Sequence, residues 1–590
     1  MEKHKEPQVG LVINRAITAW MAAVLLWVMV GDGAFLTTEY AAQIHTIGFF
    51  AVILLVFVIL NLPVKNPVVP WVDRYGILIL FLLYAGKTID KNKDFTYFIG
   101  VMLVLMLILA YTVNQTGDGF RNQIEIRKNR TVIAIYVVAA SVYLLIAGGT
   151  TILNYLLYYA PAYDFGIWVQ MFHYMKETLQ PLTTVERSQL LSHFAVHFSP
   201  IYYVYLPFYL LFPNPVTLQV LQVITAASGI IPVYLLCKRR GLGKRAAAVF
   251  GVLFALYPAI AGGCYFDMHE NCFLLPFLLW IFYFMETENW KGIVLFSVLT
   301  MLIKEDTPVY IACIGLYLAL SKKKYGNGLF LTGLAVFVFG LTVSLMNQFG
   351  LGVMTYRYDN YASGDAGGLG MVIKTFLTNP AYALTQCITA DKIKVLLALL
   401  LPLGFLPLLT KDIARYVLFL PIILVNLASD YSYQYSMFHQ YMFGTSAILI
   451  YLAILNYSEL TAGARRYLGM VGLCGSLLIM PFYSLSRSYY WKTYQSQKTG
   501  NDTLNLVMDS IPQTASVSAS AYFVPHLADR DVIYEYPGFY SYTDLTDYIV
   551  LDLRFYEVTE EDELFFEENG YEVIGMEEKL YMVLNRQHEK

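Results

Sequence analysis

Charge is scarce in this sequence: only 14% of its residues are Asp, Glu, Lys or Arg, against about 25% in soluble domains. With 57% hydrophobic residues over 590 positions, the chain is too apolar for a water-soluble domain and belongs in lipid. A basic field is lacking as well. The net charge of −3 gives no surplus of cations for engaging phosphates, which argues against nucleic acid as a partner. The six cysteines, Cys237, Cys264, Cys272, Cys313, Cys387 and Cys474, fall mostly in or beside apolar runs, without CxxC spacing or clustering in a loop. They support neither a disulfide framework nor a zinc site. No small-residue cleavage site follows the basic start and first apolar run, so that run is expected to be a retained span rather than a cleaved signal. No long internal repeat or low-complexity stretch is visible either.

What is present in quantity is apolar chain. Crossing a hydrocarbon core takes about 20 residues. Runs of that order, some shorter, lie near 15–36, 42–62, 72–87, 95–113, 131–158, 215–237, 246–263, 271–286, 291–303, 307–320, 327–348, 393–410, 413–429, 436–457 and 466–485. The expectation is an all-α polytopic membrane protein with about 15 spans. Lys and Arg gather at 121–130, 238–245, 322–324, Lys411 with Arg415, and Arg465 with Arg466. Short cytoplasmic loops retain positive charge, so these stretches are read as inside, with the N-terminus cytoplasmic. The polar segments near 163–164, 267–271, 304–306, 357–365 and 429–439, and everything after 486, then fall together outside. The Pro-interrupted segment 200–215 would disturb this alternation as a span, and is assigned to the outer interface or a re-entrant turn.

From about residue 500 charge returns and apolar runs shorten to strand length. ASVSASA, DVIYEY, DYIVLDL, YEVIGM and KLYMVL predict strands, and TEEDELFFEENG predicts an acidic helix closed by Gly570. The organisation expected is a four-span region (1–120), a membrane core (121–490) and a small extracytoplasmic α/β module (491–590). The module shows no glycine-rich phosphate loop and no triad signature.

Chemistry-bearing residues collect in the outer segments. Asp164 follows the fifth span in PAYDFGIWVQMFHYM, where an amphipathic helix is expected along the surface. It reads either as a functional carboxylate at the membrane edge or as a helix N-cap. His193 and His197 are four residues apart, on one face if helical, which suits a metal pair or a hydrogen-bonding wall; no HExxH glutamate lies between them. Asp267, His269 and Glu270 occupy the short loop YFDMHENC, and the two carboxylates face the same way if a helix persists through Glu270. Lys304, Glu305 and Asp306 divide one apolar stretch into two halves, each too short to cross. Ionisable groups at membrane depth cost about 2.5–3.5 kcal/mol each and mark functional cavities, although a self-neutralised hairpin tip accounts for them too. The Tyr- and Gly-rich loop 354–368, with Arg357, Asp359 and Asp365, suits either a sugar or a mobile lid. A second Tyr-rich segment, 429–441, carries His439.

The motifs YDFGIW, HFSPIYY, FDMHEN and KEDTPVY, in this order and spacing, resemble the bacterial membrane proteins of the DUF2079 family. The likeness covers roughly 131–457, and SASAYFVPHLADRDVIYEYP with DYIVLDL resembles that family's C-terminal part. The four N-terminal spans lie outside it. The family is grouped with the GT-C glycosyltransferases, which take a sugar from a polyprenyl phosphate carrier and use an essential acidic residue in the first outer loop. The resemblance places that role on Asp164. Where the family commonly has FHPE this chain has MHEN, so His269 is similarly placed and Glu270 is an offset candidate for the partnering glutamate.

By this resemblance Asp164 is a general base on an acceptor hydroxyl of a cell-envelope glycan, lipid or protein, and the product is inverted. Lys304, with Arg357 as second candidate, stabilises the leaving lipid phosphate, and His269 and His197 line the site as donors. Apolar grooves take the polyprenyl chain. A divalent metal bridging Asp164 and Asp267 to phosphate is left open, since no ligand spacing demands one. The fold implied is GT-C-like, in a bacterial plasma membrane. The competing class is a lipid or solute transporter, which also places charge at membrane depth but shows inverted repeats and midplane charges. A non-catalytic scaffold leaves Lys304, Glu305 and Asp306 without a task.

Overall fold

The computed structural model describes residues 9–30, 35, 40, 44–62, 68–92, 94–116, 126–362, 368–483, 489–538 and 545–587. The Leu-, Ile- and Val-rich runs form helices: α1 (Val9–Val30), α2 (Thr46–Asn61), α3 (Val68–Asn92), α4 (Phe95–Thr116), α5 (Asn129–Leu156), α6 (Ile167–Thr178), α7 (Pro215–Arg239) and α8 (Lys244–Gly262). They continue with α9 (Leu274–Glu286), α10 (Trp290–Met301), α11 (Pro308–Leu320), α12 (Tyr325–Phe349), α13 (Ala390–Leu400), α14 (Met442–Glu459) and α15 (Ala462–Tyr483). Among the described residues eight helices, α1, α3, α4, α5, α7, α8, α12 and α15, are long and apolar enough to cross a membrane. The runs at α2, α10 and α11 are shorter apolar helices of 10–17 residues.

The run expected at 393–410 is not one helix. α13 stops at Leu400, and two 3-10 turns, Leu401–Leu403 and Leu406–Leu408, flank Gly404 and Phe405 in the left-handed region. Pro402 and Pro407 withhold the N–H groups a helix needs. Gly404 sits so close to α15 that a Cβ there would lie 2.4 Å from the Leu468 carbonyl. The run at 413–429 is a 3-10 segment followed by a π turn, and that at 436–457 becomes helical only at Met442.

Three helices give the bundle two unlike ends. Glu270, Lys304 and Tyr441 lie just before α9, α11 and α14, at their N-terminal ends. At their other ends Glu286 binds Lys322 at 2.6 Å and Arg240 at 3.2 Å, while Glu459 binds Arg415 at 2.6 Å and Arg240 at 3.3 Å. Lys244 donates to the Arg127 carbonyl. The basic stretches that the sequence assigns to one side therefore meet at one end; residues 121–125 of the first lie outside the described residues.

The C-terminal module follows α16 (Lys498–Ser510) and holds β1 (Val517–Ala519), β2 (Ile533–Glu535), β3 (Tyr548–Leu551), α17 (Glu560–Glu568), β4 (Tyr571–Glu577) and β5 (Tyr581–Arg586). All five expected strands form one sheet in the order β2-β1-β3-β5-β4, parallel across β2-β1-β3 and antiparallel across β3-β5-β4. Thr559 caps α17 reciprocally with Asp562. Gly570, at φ +73°, turns the chain out of it.

This module is seated on the membrane core rather than appended to it. Expected along a surface, α6 is buried over most of its length, from Ile167 to Phe172 and at Met175. Gln170 Nε2 donates to Thr184 Oγ1 and the Asp531 carbonyl, and Thr184 Oγ1 donates to the Ile533 carbonyl. His526 stacks on Tyr155 and Tyr158 at 4.1 and 3.7 Å. A Cβ on Gly166 would meet Val524 at 2.8 Å.

Candidate active site

Asp164 lies where α5 has ended and the chain turns towards α6, outside the spanning helices. The N-cap reading is overturned. Pro161 is the cap residue of the π turn Ala162–Gly166, Gly166 precedes α6, and the Asp164 side chain caps neither. Its Oδ2 instead lies 3.3 Å from His269 Nε2. Burial opposes the Asp164 charge, but His269 and Lys304 prevail and hold its carboxyl at about 2.

His269 is fixed from behind: its backbone N–H donates to Gln222 Oε1, and its Nδ1 lies 3.3 Å from the Asp267 carbonyl. A carbonyl only accepts, so this contact places a proton on Nδ1 and turns Nε2 to Asp164. Lys304 Nζ lies 2.8 Å from Glu270 Oε1, whose other oxygen accepts a bond from the Tyr202 hydroxyl. His197 Nδ1 lies 2.8 Å from Glu305 Oε1, and Glu305 also accepts from the Phe198 N–H. Arg357 has no carboxylate partner among the described residues; its guanidinium lies over Tyr431 and Tyr441, 5.0 and 5.5 Å from the ring centres.

Asp164, His197, His269, Lys304 and Arg357 converge on a cavity of about 60 Å³, room for a group of a few heavy atoms. Two permanent cations and two imidazoles face one carboxylate across it. Glu270 and Glu305 stand behind, holding Lys304 and His197 in place.

Other expectations are corrected. His193 and His197 do not share a helical face, because Ser192 caps a 3-10 turn of only three residues, His193–Ala195. His193 turns away to Glu186 at 2.9 Å and packs edge-on against Trp168, wholly buried. Asp267 and Glu270 do not face the same way either. Asp267 has φ 149° and binds Gln219, and the 3-10 turn begins only at Glu270. Asp267 and His439 line a second, larger cavity of about 540 Å³ beside the first. Asp306 stays at the α10–α11 tip with its Oδ1 buried. Asp365 lies outside the described residues.

Sequence reasoning missed Gln219, Gln222, Tyr202, Glu186, Tyr431 and Tyr441 as partners of the site. Gln219 and Gln222 had a readable signal, being two amides three apart in an apolar run, where polar groups face the protein interior. Glu186 had none, since only irregular chain connects it to His193. Among the described residues no group of three or more His, Cys, Asp or Glu is placed to hold a metal ion.

No curated protein matches this chain. Two solved structures are similar to it: ArnT from Cupriavidus metallidurans bound to undecaprenyl phosphate, and the same protein in the apo state. The first is 10% identical with a TM-score of 0.47, covering 78% of this chain and 98% of that one; the second is 12% identical with a TM-score of 0.42, covering 76% and 98%. Likeness at that level carries no argument about activity. The family model for predicted membrane proteins DUF2079 matches residues 153–569, from the end of α5 through α17, so the chain belongs to the DUF2079 family.

Proposed function

We propose that this protein is a membrane glycosyltransferase that moves a sugar from a polyprenyl phosphate donor to an acceptor hydroxyl, with inversion, at the extracytoplasmic face of a bacterial plasma membrane. The observation that carries the reading is the charge arrangement of the small cavity: one carboxylate faces two cations, in a space suited to a phosphoryl group and the carbon bonded to it.

In this reading the donor phosphate binds between Lys304 and Arg357, and the lipid chain extends between the helices, where each buried methylene adds about 0.8 kcal/mol. Asp164 removes the proton from the acceptor hydroxyl as its oxygen attacks the anomeric carbon. The bond from that carbon to the phosphate oxygen breaks, and its electron pair leaves with the phosphate. Lys304 and Arg357 stabilise the charge that develops there. A carboxyl held at about 2 is a weak base. The bound phosphate corrects this, because it takes up the field of the two cations and raises the proton affinity of Asp164. Glu270 and Glu305 keep Lys304 and His197 oriented, and the helices of the membrane core serve as scaffold.

The test is transfer of radiolabelled sugar from a panel of polyprenyl-phosphate sugars into a membrane extract. Asp164→Asn should lose about 10²–10⁴-fold in transfer while still binding polyprenyl phosphate. Equal transfer by both proteins would remove Asp164 from the mechanism, and no transfer from any donor would overturn the reading.

A further inference from the structure

Of the five residues that converge on the small cavity, Asp164 lies on the turn between α5 and α6, six positions after Tyr158 and two before Gly166. The C-terminal module grips that turn at both ends. Carbonyls at a helix C-terminus need partners from outside the helix. Where α5 ends, Arg554 donates from Nη1 to the Leu157 carbonyl and from Nη2 to that of Tyr158, and His526 Nε2 lies 3.1 Å from the Tyr155 carbonyl. The His526 ring stacks on Tyr155 and Tyr158, and the Tyr158 hydroxyl donates to Asn505 on α16. At the other end Val524 packs where a Cβ on Gly166 would stand. One short helix of the module, Val524–Leu527, thus touches the turn both before and after Asp164. Inside the turn Phe165, next to Asp164 in the chain, packs edge-on against Tyr155 at 5.5 Å, so His526, Tyr155 and Phe165 form one row of rings.

Tyr158 carries the clearest mark of this grip. Its φ is 57°, in the left-handed region that a residue with a Cβ keeps only where its surroundings impose it. Arg554, His526 and Phe523 of the module, with Asn505, are among those surroundings. We infer that the docked module is a positioning element for the reaction: it sets the place of the Asp164 carboxylate against His269 and the cavity, with Arg554 and His526 as the positioning residues. The inference rests on the reading of Asp164 as the base. His197, His269, Lys304 and Arg357 sit on segments of the membrane core. Loosening the module therefore displaces the base relative to the cations that hold the donor phosphate. A misplacement of about 1 Å costs about 10²-fold in rate. Transfer is in this way tied to docking: a chain whose module has lifted from its seat still binds the lipid phosphate but turns it over slowly.

The experiment uses the full chain in lipid nanodiscs and compares the parent with Arg554→Ala, Arg554→Lys and His526→Ala. Three quantities are read: hydrogen exchange of the segment 157–166, affinity for polyprenyl phosphate, and kcat and KM for sugar transfer. Arg554→Ala should raise exchange at 157–166 while the turn at 302–307 stays at the parent level. It should lower kcat about tenfold or more and retain the parent's affinity for polyprenyl phosphate, which guards against misfolding. His526→Ala should act in the same direction, and Arg554→Lys, which keeps one donor, should fall between Arg554→Ala and the parent. A parent-like kcat per folded molecule, unchanged exchange at 157–166, or a loss of lipid-phosphate affinity as large as the loss in kcat overturns the inference. A parent that transfers no sugar removes the donor reading but not this test: raised exchange at 157–166 then keeps the module as the element that places Asp164, and unchanged exchange overturns it.

Discussion

The small cavity and the seat of the C-terminal module are both polar networks in buried surroundings, yet they are completed differently. At the seat the partners come from the protein itself. Arg554 binds Asp552 and the carbonyls of Leu157 and Tyr158, Arg530 binds those of Leu527, Pro512 and Ala515, and His173 lies between Asp529 and Asp531. In the cavity, among the described residues, Arg357 meets aromatic faces, a thioether and the Tyr356 hydroxyl but no carboxylate, and Asp164 touches one imidazole at 3.3 Å. A satisfied network holds parts together, whereas one in which a guanidinium meets no carboxylate among the described residues suits an anion that arrives from outside.

The sharpest way to break this comparison is to remove each cation in turn. Lys304→Met strands buried Glu270 and should cost about 3–5 kcal/mol of stability, much of it recovered in a Lys304→Met/Glu270→Gln double variant. Among the described residues Arg357→Met strands no carboxylate and should cost mainly the cation–π contacts, about 1–2 kcal/mol, while polyprenyl phosphate binding falls. Thermal unfolding in detergent beside a lipid-phosphate binding assay separates the two. Equal destabilisation would mean that Arg357 is as structural as Lys304.

A smaller effect is expected at the seat. Arg554→Ala frees two carbonyls and the Asp552 carboxylate, and should weaken docking by about 1.5–3 kcal/mol. Hydrogen exchange should then rise together in the module and in α6. Unchanged exchange would show that apolar packing alone holds the module.

The smallest effect is one of pH. Hydrogen bonding to Asp529 raises His173 above its usual 6.5, so its contribution is full below that value and is lost as pH rises through the raised one. The same bond lowers Asp529 below its usual 3.8, so its contribution is full above that value and is lost as pH falls through the lowered one. Docking should therefore be firmest between about pH 4 and 6.5. Exchange protection at the seat should be lower at pH 8.5 than at 5.5, and His173→Asn should flatten the difference. Equal protection in the parent at both pH values would show that this pair does not hold the seat.

Much of this architecture was legible from residue order. The five strands and the capped acidic helix of the module were readable because alternation and capping act within a few residues. The turn carrying Lys304, Glu305 and Asp306 was readable because two short apolar halves cannot hide three charges. The pairing of His193 with His197 and of Asp267 with Glu270 failed for one reason. Both inferences assumed helical geometry where the chain makes tight 3-10 turns, and a change of turn redirects a side chain entirely. The run at 393–410 failed where Pro402 and Pro407 flank Gly404, a local signal outweighed by overall apolarity.

By itself the sequence determined that this chain lives in lipid, that its chemistry collects in a few short polar segments, and that strands and an acidic helix make up a small module after residue 500, since these follow from composition and short-range pattern. Tertiary structure decided which charges meet. Glu270 binds Lys304 from 34 positions away and His197 binds Glu305 from 108, whereas adjacent Glu305 and Asp306 have different surroundings. Coulomb attraction and desolvation depend on distance in space and on what excludes water, and neither is written in residue order until the helices are packed.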